Sequence, residues 1–155
     1  MTRKTTTSLY RLQLVREADY PYDLSTLSSP AAAAKFFRPL FEGIDREQMA
    51  VAFLDAKHRV IGVGIVSIGS LTASIVHPRE VFKPAVLSNA SAVLICHNHP
   101  SGVPEPSPED ISLTSRLSQA GDILGIRLLD HVILGDDSHY SFVDSGHSFG
   151  GTAVT

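Results

Sequence analysis

The period of the apolar pattern changes several times along the chain, and each change marks an element. Ala92-Val93-Leu94-Ile95-Cys96 is an unbroken apolar run rich in β-branched residues, as expected of a strand buried on both faces. Gln48–Ala56 and Val60–Ser67 are apolar segments around the polar turn Lys57-His58-Arg59, which predicts an antiparallel hairpin. Ile126–Leu134 and His139–Val143 flank Asp136-Asp137-Ser138 and predict a second one. Between residues 108 and 124 the spacing becomes helical: Ile111, Leu113, Leu117, Ala120 and Leu124 form one face, with Pro108 at the start and Gly125 past the end. Ser28-Ser29-Pro30 opens an alanine-rich helix to Phe41, kinked or ended by Pro39 and closed by Gly43. Pro78 opens a shorter helix to about Ser88, in which Pro84 sits awkwardly. Leu9, Arg11, Gln13 and Val15 alternate with Tyr10, Leu12, Leu14 and Arg16, predicting a half-buried edge strand over 8–17. A short strand is expected over 71–75, and Gly62, Gly64 and Gly69 mark bulges or close backbone approach. Strands and helices alternate only in part, which predicts an α/β chain of the α+β type: a mixed sheet flanked by helices.

The stretch His97-Asn98-His99-Pro100 to Asp110 carries the chemistry. Residues i and i+2 of a strand share a face, so His97 and His99 converge where the apolar strand ends. Ser107-Pro108-Glu109-Asp110 reads as a helix start, in which an acidic residue is already explained by capping and the helix dipole. Four prolines stiffen the intervening loop. Two imidazoles and a carboxylate delivered to one place suit Zn2+, with a fourth position left for water. Asn98 faces away from both histidines and braces the loop. Alternation also places Cys96 on the other face, as a small buried apolar residue. Asp130 and His131 could back the ligands, but as adjacent strand residues they point to opposite faces, which favours a structural role. His58, His77, His131, His139 and His147 are scattered, as turn and surface residues are.

His97-x-His99, seven residues, then Ser107-x-x-Asp110 resembles the H-x-H-x7-S-x-x-D core of the JAMM (JAB/MPN-type) metalloprotein family. The strings HNHPSG and PSPEDI are similar to its bacterial RadC-like branch, and the likeness runs over roughly 47–143. The resemblance implies a JAB/MPN (cytidine-deaminase-like) fold, with a curved mixed sheet between helices and zinc at its edge. It implies a hydrolase of peptide or isopeptide bonds. A glutamate just before an early strand would be the general base, which points to Glu47. Glu80 competes, but it lies in the first turn of the Pro78 helix; Glu105 and Glu109 face solvent. Ser107, the N-cap, would also steady an oxyanion. Longer members of the branch carry a helix-hairpin-helix region, and the branch has been linked to DNA repair. Residues 1–46 hold no such hairpin, which predicts a stand-alone member and weakens the DNA-accessory alternative. Adjacent His-Asn-His is not the dispersed triad of HNH nucleases.

Composition narrows this picture. At 155 residues, 43% hydrophobic and 19% charged, the chain is long enough for one core. The expected division is a strand and helix over 1–46 packed on a metalloprotein domain over 47–144, with a disordered tail over 145–155. A net charge of −3 and a pI near 6.1 give no electrostatic footprint for nucleic acid. Apolar runs fall short of the roughly 20 residues that span a membrane, and the single cysteine suits a reducing compartment. A cytoplasmic location is therefore expected; the peptide or protein substrate is what the resemblance implies, and oligomeric state is left open.

Overall fold

The computed structural model describes residues 5–22, 27–68, 76–147 and 149. Its elements are α1 (Pro30–Phe37) continuing into a 3-10 turn (Arg38–Phe41), β1 (Gln48–Leu54), β2 (Val60–Ile68), α2 (Pro78–Leu87), β3 (Ala92–Asn98), α3 (Pro108–Leu124), β4 (Arg127–Leu134) and β5 (His139–Ser141). The five strands form one mixed sheet in the order β2-β1-β3-β4-β5. β3 and β4 are parallel, linked through α3, and every other pairing is antiparallel. The expected mixed sheet flanked by helices is thus the observed architecture.

Alternation gives the sheet two buried faces. Ala50, Ala52, Leu94 and Cys96 meet Phe36, Phe37 and Phe41, whose rings fill the room that the small strand residues leave. Full burial of a side chain such as Phe37 contributes up to about 3 kcal/mol. On the other face Val51, Phe53, Val93 and Ile95 pack with Val81, Phe82 and Ala85 of α2 and Leu117 of α3. Asp55 shapes the first hairpin by accepting from the N–H groups of Lys57 at 2.9 Å and Arg59 at 3.0 Å, which supports His58 at φ 59°. Gly62 lies under the Phe53 ring, and the register offsets fall opposite Met49/Ala50 and Phe53/Leu54.

Three expectations change. Residues 8–17 form no strand; Leu9 is wholly exposed and Val15 largely so, because the alternating pattern finds no strand to pair with. The chain docks just beyond that segment: Tyr20 donates to the Phe36 carbonyl, and both Tyr20 and Tyr22 set their rings edge-on to Phe36. The inner face of α3 is Asp110, Thr114, Leu117, Ser118 and Gly121, while Ile111 and Leu124 are exposed. The helix is turned this way because its first half covers polar groups and its last turn approaches the chain closely. A Cβ on Gly121 would lie 2.4 Å from the Ile126 carbonyl oxygen. Of the tail expected to be disordered, 145–147 complete a turn and Phe149 packs on the α2/α3 side. Gly69, the strand expected at 71–75, residue 148 and residues 150–155 lie outside the described residues. Among those described, no helix is long and apolar enough to cross a membrane.

Candidate metal centre

β3 delivers His97 from its last turn of pleat and His99 one residue past its end, on the face covered by α2 and α3. Ser107 caps α3 by accepting from Asp110 N–H at 3.1 Å, while Asp110 Oδ2 accepts from Ser107 N–H at 2.8 Å. This reciprocal cap holds the Asp110 carboxylate over the strand end. Glu47 immediately precedes β1, which lies beside β3 with Met49 opposite His97.

These four side chains meet. Donor atoms of Glu47, His97, His99 and Asp110 all lie within 4.8 Å of one another. His97 Nε2 is 3.0 Å from His99 Nε2, 3.3 Å from Asp110 Oδ1 and 3.3 Å from Glu47 Oε1. His99 Nε2 is 3.2 Å from Asp110 Oδ2 and 3.8 Å from Glu47 Oε1. Neighbouring ligands in a tetrahedron of about 2.1 Å bonds stand roughly 3.4 Å apart, so the separations of 3.0–3.3 Å among His97, His99 and Asp110 suit a single small ion. The donor chemistry fits too. His99 Nδ1 faces the Val103 carbonyl at 2.8 Å, where it must donate, so the neutral imidazole that a metal would bind turns its Nε2 lone pair toward the cluster.

The electrostatics are those of an anion held among imidazoles. Burial alone would push the Asp110 carboxyl up, but hydrogen bonds from His97 and His99 outweigh it and hold it well below the usual carboxylate range. The bond to Asp110 in turn raises His99, against the effect of burial.

The loop between strand and helix is braced from behind. His99 N–H donates to Leu134 O at 2.9 Å, and Asp136 N–H donates to Gly102 O at 3.1 Å. Gly102, at φ 84°, leaves no room for a side chain: a Cβ would lie 2.3 Å from Asp136 Oδ2. Arg38, beyond α1, holds the same β4–β5 turn through the carbonyls of Gly135 at 3.0 Å and Asp136 at 2.8 Å.

Two residues act differently from expectation. Asn98 braces the start of β1 and not its own loop: Oδ1 accepts from Gln48 N–H at 2.8 Å and Nδ2 donates to Arg46 O at 3.1 Å, clamping the backbone on either side of Glu47. His131, expected to be structural, is wholly buried with Nε2 2.7 Å from His97 Nδ1. Burial holds this imidazole in its neutral form, its pKa well below the ordinary value. Asp130 does point the other way, accepting from Ser141 Oγ at 2.6 Å and Val143 N–H at 3.1 Å. His131 reaches the centre through a β-bulge: Val93 pairs with Leu128 but Ile95 with His131, so one extra residue changes the phase of β4. Glu80 is engaged with His77 N–H, and Glu105 and Glu109 are exposed.

The family model described as RadC-like JAB domain matches residues 27–147. The chain belongs to this family. Relatives agree: a UPF0758 protein of Trichlorobacter lovleyi is 50% identical over 123 residues, covering 79% of this chain and 54% of its own length. One of Shouchella clausii is 52% identical over 120 residues, 77% of this chain and 52% of its own. One of Symbiobacterium thermophilum is 46% identical over 144 residues, 92% of this chain and 62% of its own. The chain spans little more than half the length of these curated relatives. RadC-like JAB membership and the Glu47, His97, His99 and Asp110 group together agree with a JAMM-type protein able to bind a metal ion.

Proposed function

We propose that the chain is a zinc-dependent hydrolase of peptide or isopeptide amide bonds, acting in the cytoplasm on a peptide or protein substrate. The reading is carried by one observation, the convergence of two imidazoles and two carboxylates from three separate segments. In it His97, His99 and Asp110 hold the ion, and a bound zinc supplies a Lewis acid that polarises a carbonyl and acidifies water. Glu47, facing the same point, takes a proton from the attacking water and returns it to the leaving amine. Its carboxylate lies within ion-pair reach of His97 and is partly open to solvent, where a substrate can reach it. The N-cap uses the Ser107 oxygen as an acceptor, so its O–H remains to donate to the oxyanion.

Metal analysis of protein purified without added metal tests this, with about one zinc per chain expected. His97→Ala and Asp110→Ala should lose it, and Glu47→Gln should keep it while losing hydrolysis of a peptide library. Full zinc content in His97→Ala and Asp110→Ala would overturn the ligand set. A nucleic-acid role predicts salt-dependent duplex binding instead, and a gel shift at low salt separates the two.

A further inference from the structure

We propose that Thr114 and His131 form a directional hydrogen-bond relay that fixes the tautomer of His97 and so aims its Nε2 lone pair into the cluster. The direction is set at one end. The Asp110 carbonyl can only accept, so the Thr114 hydroxyl, 2.6 Å away, must donate to it. Thr114 Oγ1 then meets His131 Nδ1, also at 2.6 Å, as an acceptor, and that nitrogen carries the proton. A neutral imidazole has one N–H, so His131 Nε2 is a lone pair. It faces His97 Nδ1 at 2.7 Å, which must therefore donate. Once His97 is neutral, as it must be to bind a metal, its lone pair is left on Nε2, the atom turned to His99, Asp110 and Glu47. Reversing the relay would ask one hydroxyl proton to serve two acceptors.

The parts are fixed in place. Thr114 is 2% exposed and His131 0%, and the His131 ring stacks on Phe142 at 4.9 Å with planes 4° apart. His99 receives the same tautomer from a backbone carbonyl directly. His97 Nδ1 faces His131 instead and depends on the side-chain relay. Thr114 and His131 are positioning residues; neither is placed among the ligands.

The consequence for zinc rests on the reading above, but the relay can be tested without it. Long-range proton–nitrogen NMR of the metal-free protein at alkaline pH should show His97 protonated on Nδ1. Thr114→Val keeps the shape and removes the hydroxyl, freeing His131 to donate to His97 and move the His97 proton to Nε2. Thr114→Ser and His131→Gln retain the needed groups and should keep the wild-type tautomer. Chelator competition should show zinc held about 10–100-fold more weakly by Thr114→Val, with Thr114→Ser close to wild type. A His97 proton on Nε2 in the wild type, or Thr114→Val matching wild type in tautomer and affinity, would overturn the relay. If the wild type binds no zinc, the metal reading falls and the tautomer measurement alone decides.

Discussion

Replacing Asn98 by alanine removes two hydrogen bonds that hold the backbone on both sides of Glu47. The Asn98 side chain is nearly buried, 7% exposed, and its partners are the N–H of Gln48 and the carbonyl of Arg46. A net hydrogen bond contributes about 1 kcal/mol, and a buried polar group left without a partner costs about 1–3 kcal/mol. Asn98→Ala should therefore destabilise by about 2–4 kcal/mol. With a urea slope of about 2 kcal/mol/M the midpoint falls by roughly 1–2 M. On the function proposed above, zinc content should stay near wild type because His97, His99 and Asp110 are untouched, whereas hydrolysis should fall further than binding as Glu47 loses its anchorage. Asn98→Asp should be at least as costly, since it turns a second oxygen toward the Arg46 carbonyl. A midpoint shift below about 0.3 M, worth only some 0.5 kcal/mol, would refute the clamp.

Other outcomes follow from single features. Cys96 is wholly buried and burial pushes its thiol well up, so a thiol reagent should modify it only on unfolding; labelling against denaturant reads this directly. Cys96→Ser places a hydroxyl among Phe and Ala side chains and should cost about 1–3 kcal/mol in a denaturant melt. Gly121→Ala gains up to about 1 kcal/mol of helix propensity, yet its Cβ meets the backbone oxygen of Ile126; net destabilisation by about 1–3 kcal/mol is expected in a thermal melt. Zinc at a hundred times its dissociation constant should add about 2.7 kcal/mol, raising the melting temperature by roughly 5–10 °C. A chelator should reverse the gain, and His99→Ala should show none.

The strand before the histidines and the helix after them were legible because both signals are local. A continuous apolar run names a buried strand, and Ser107-Pro108 together with Gly125 bracket α3 at its observed ends. Glu47 was legible through the hairpin that follows it and the family pattern. What escaped depends on tertiary context. Residues 8–17 carry a strand's alternation, but pairing is decided by available partners and not by the pattern. The buried face of α3 is polar because it roofs His97 and His131, which an apolar stripe cannot reveal. His131 was hidden by the bulge in β4, since a strict two-residue period has no place for an extra residue. A buried aspartate-histidine pair in an otherwise apolar strand was the available clue.

Every residue of the candidate centre lies at or after Glu47, so a fragment cut there would keep the full chemical vocabulary. Its architecture would not survive the cut. Removing α1 and the 3-10 turn after it strips Phe36, Phe37 and Phe41 from the far face of the sheet and leaves Ala50, Ala52, Leu94 and Cys96 facing water. It also removes Arg38, the guanidinium that staples the turn behind the metal loop. The smallest piece that carries every residue of the candidate centre is therefore smaller than the smallest piece able to stay in solution, and engineering the domain should start before Ser29.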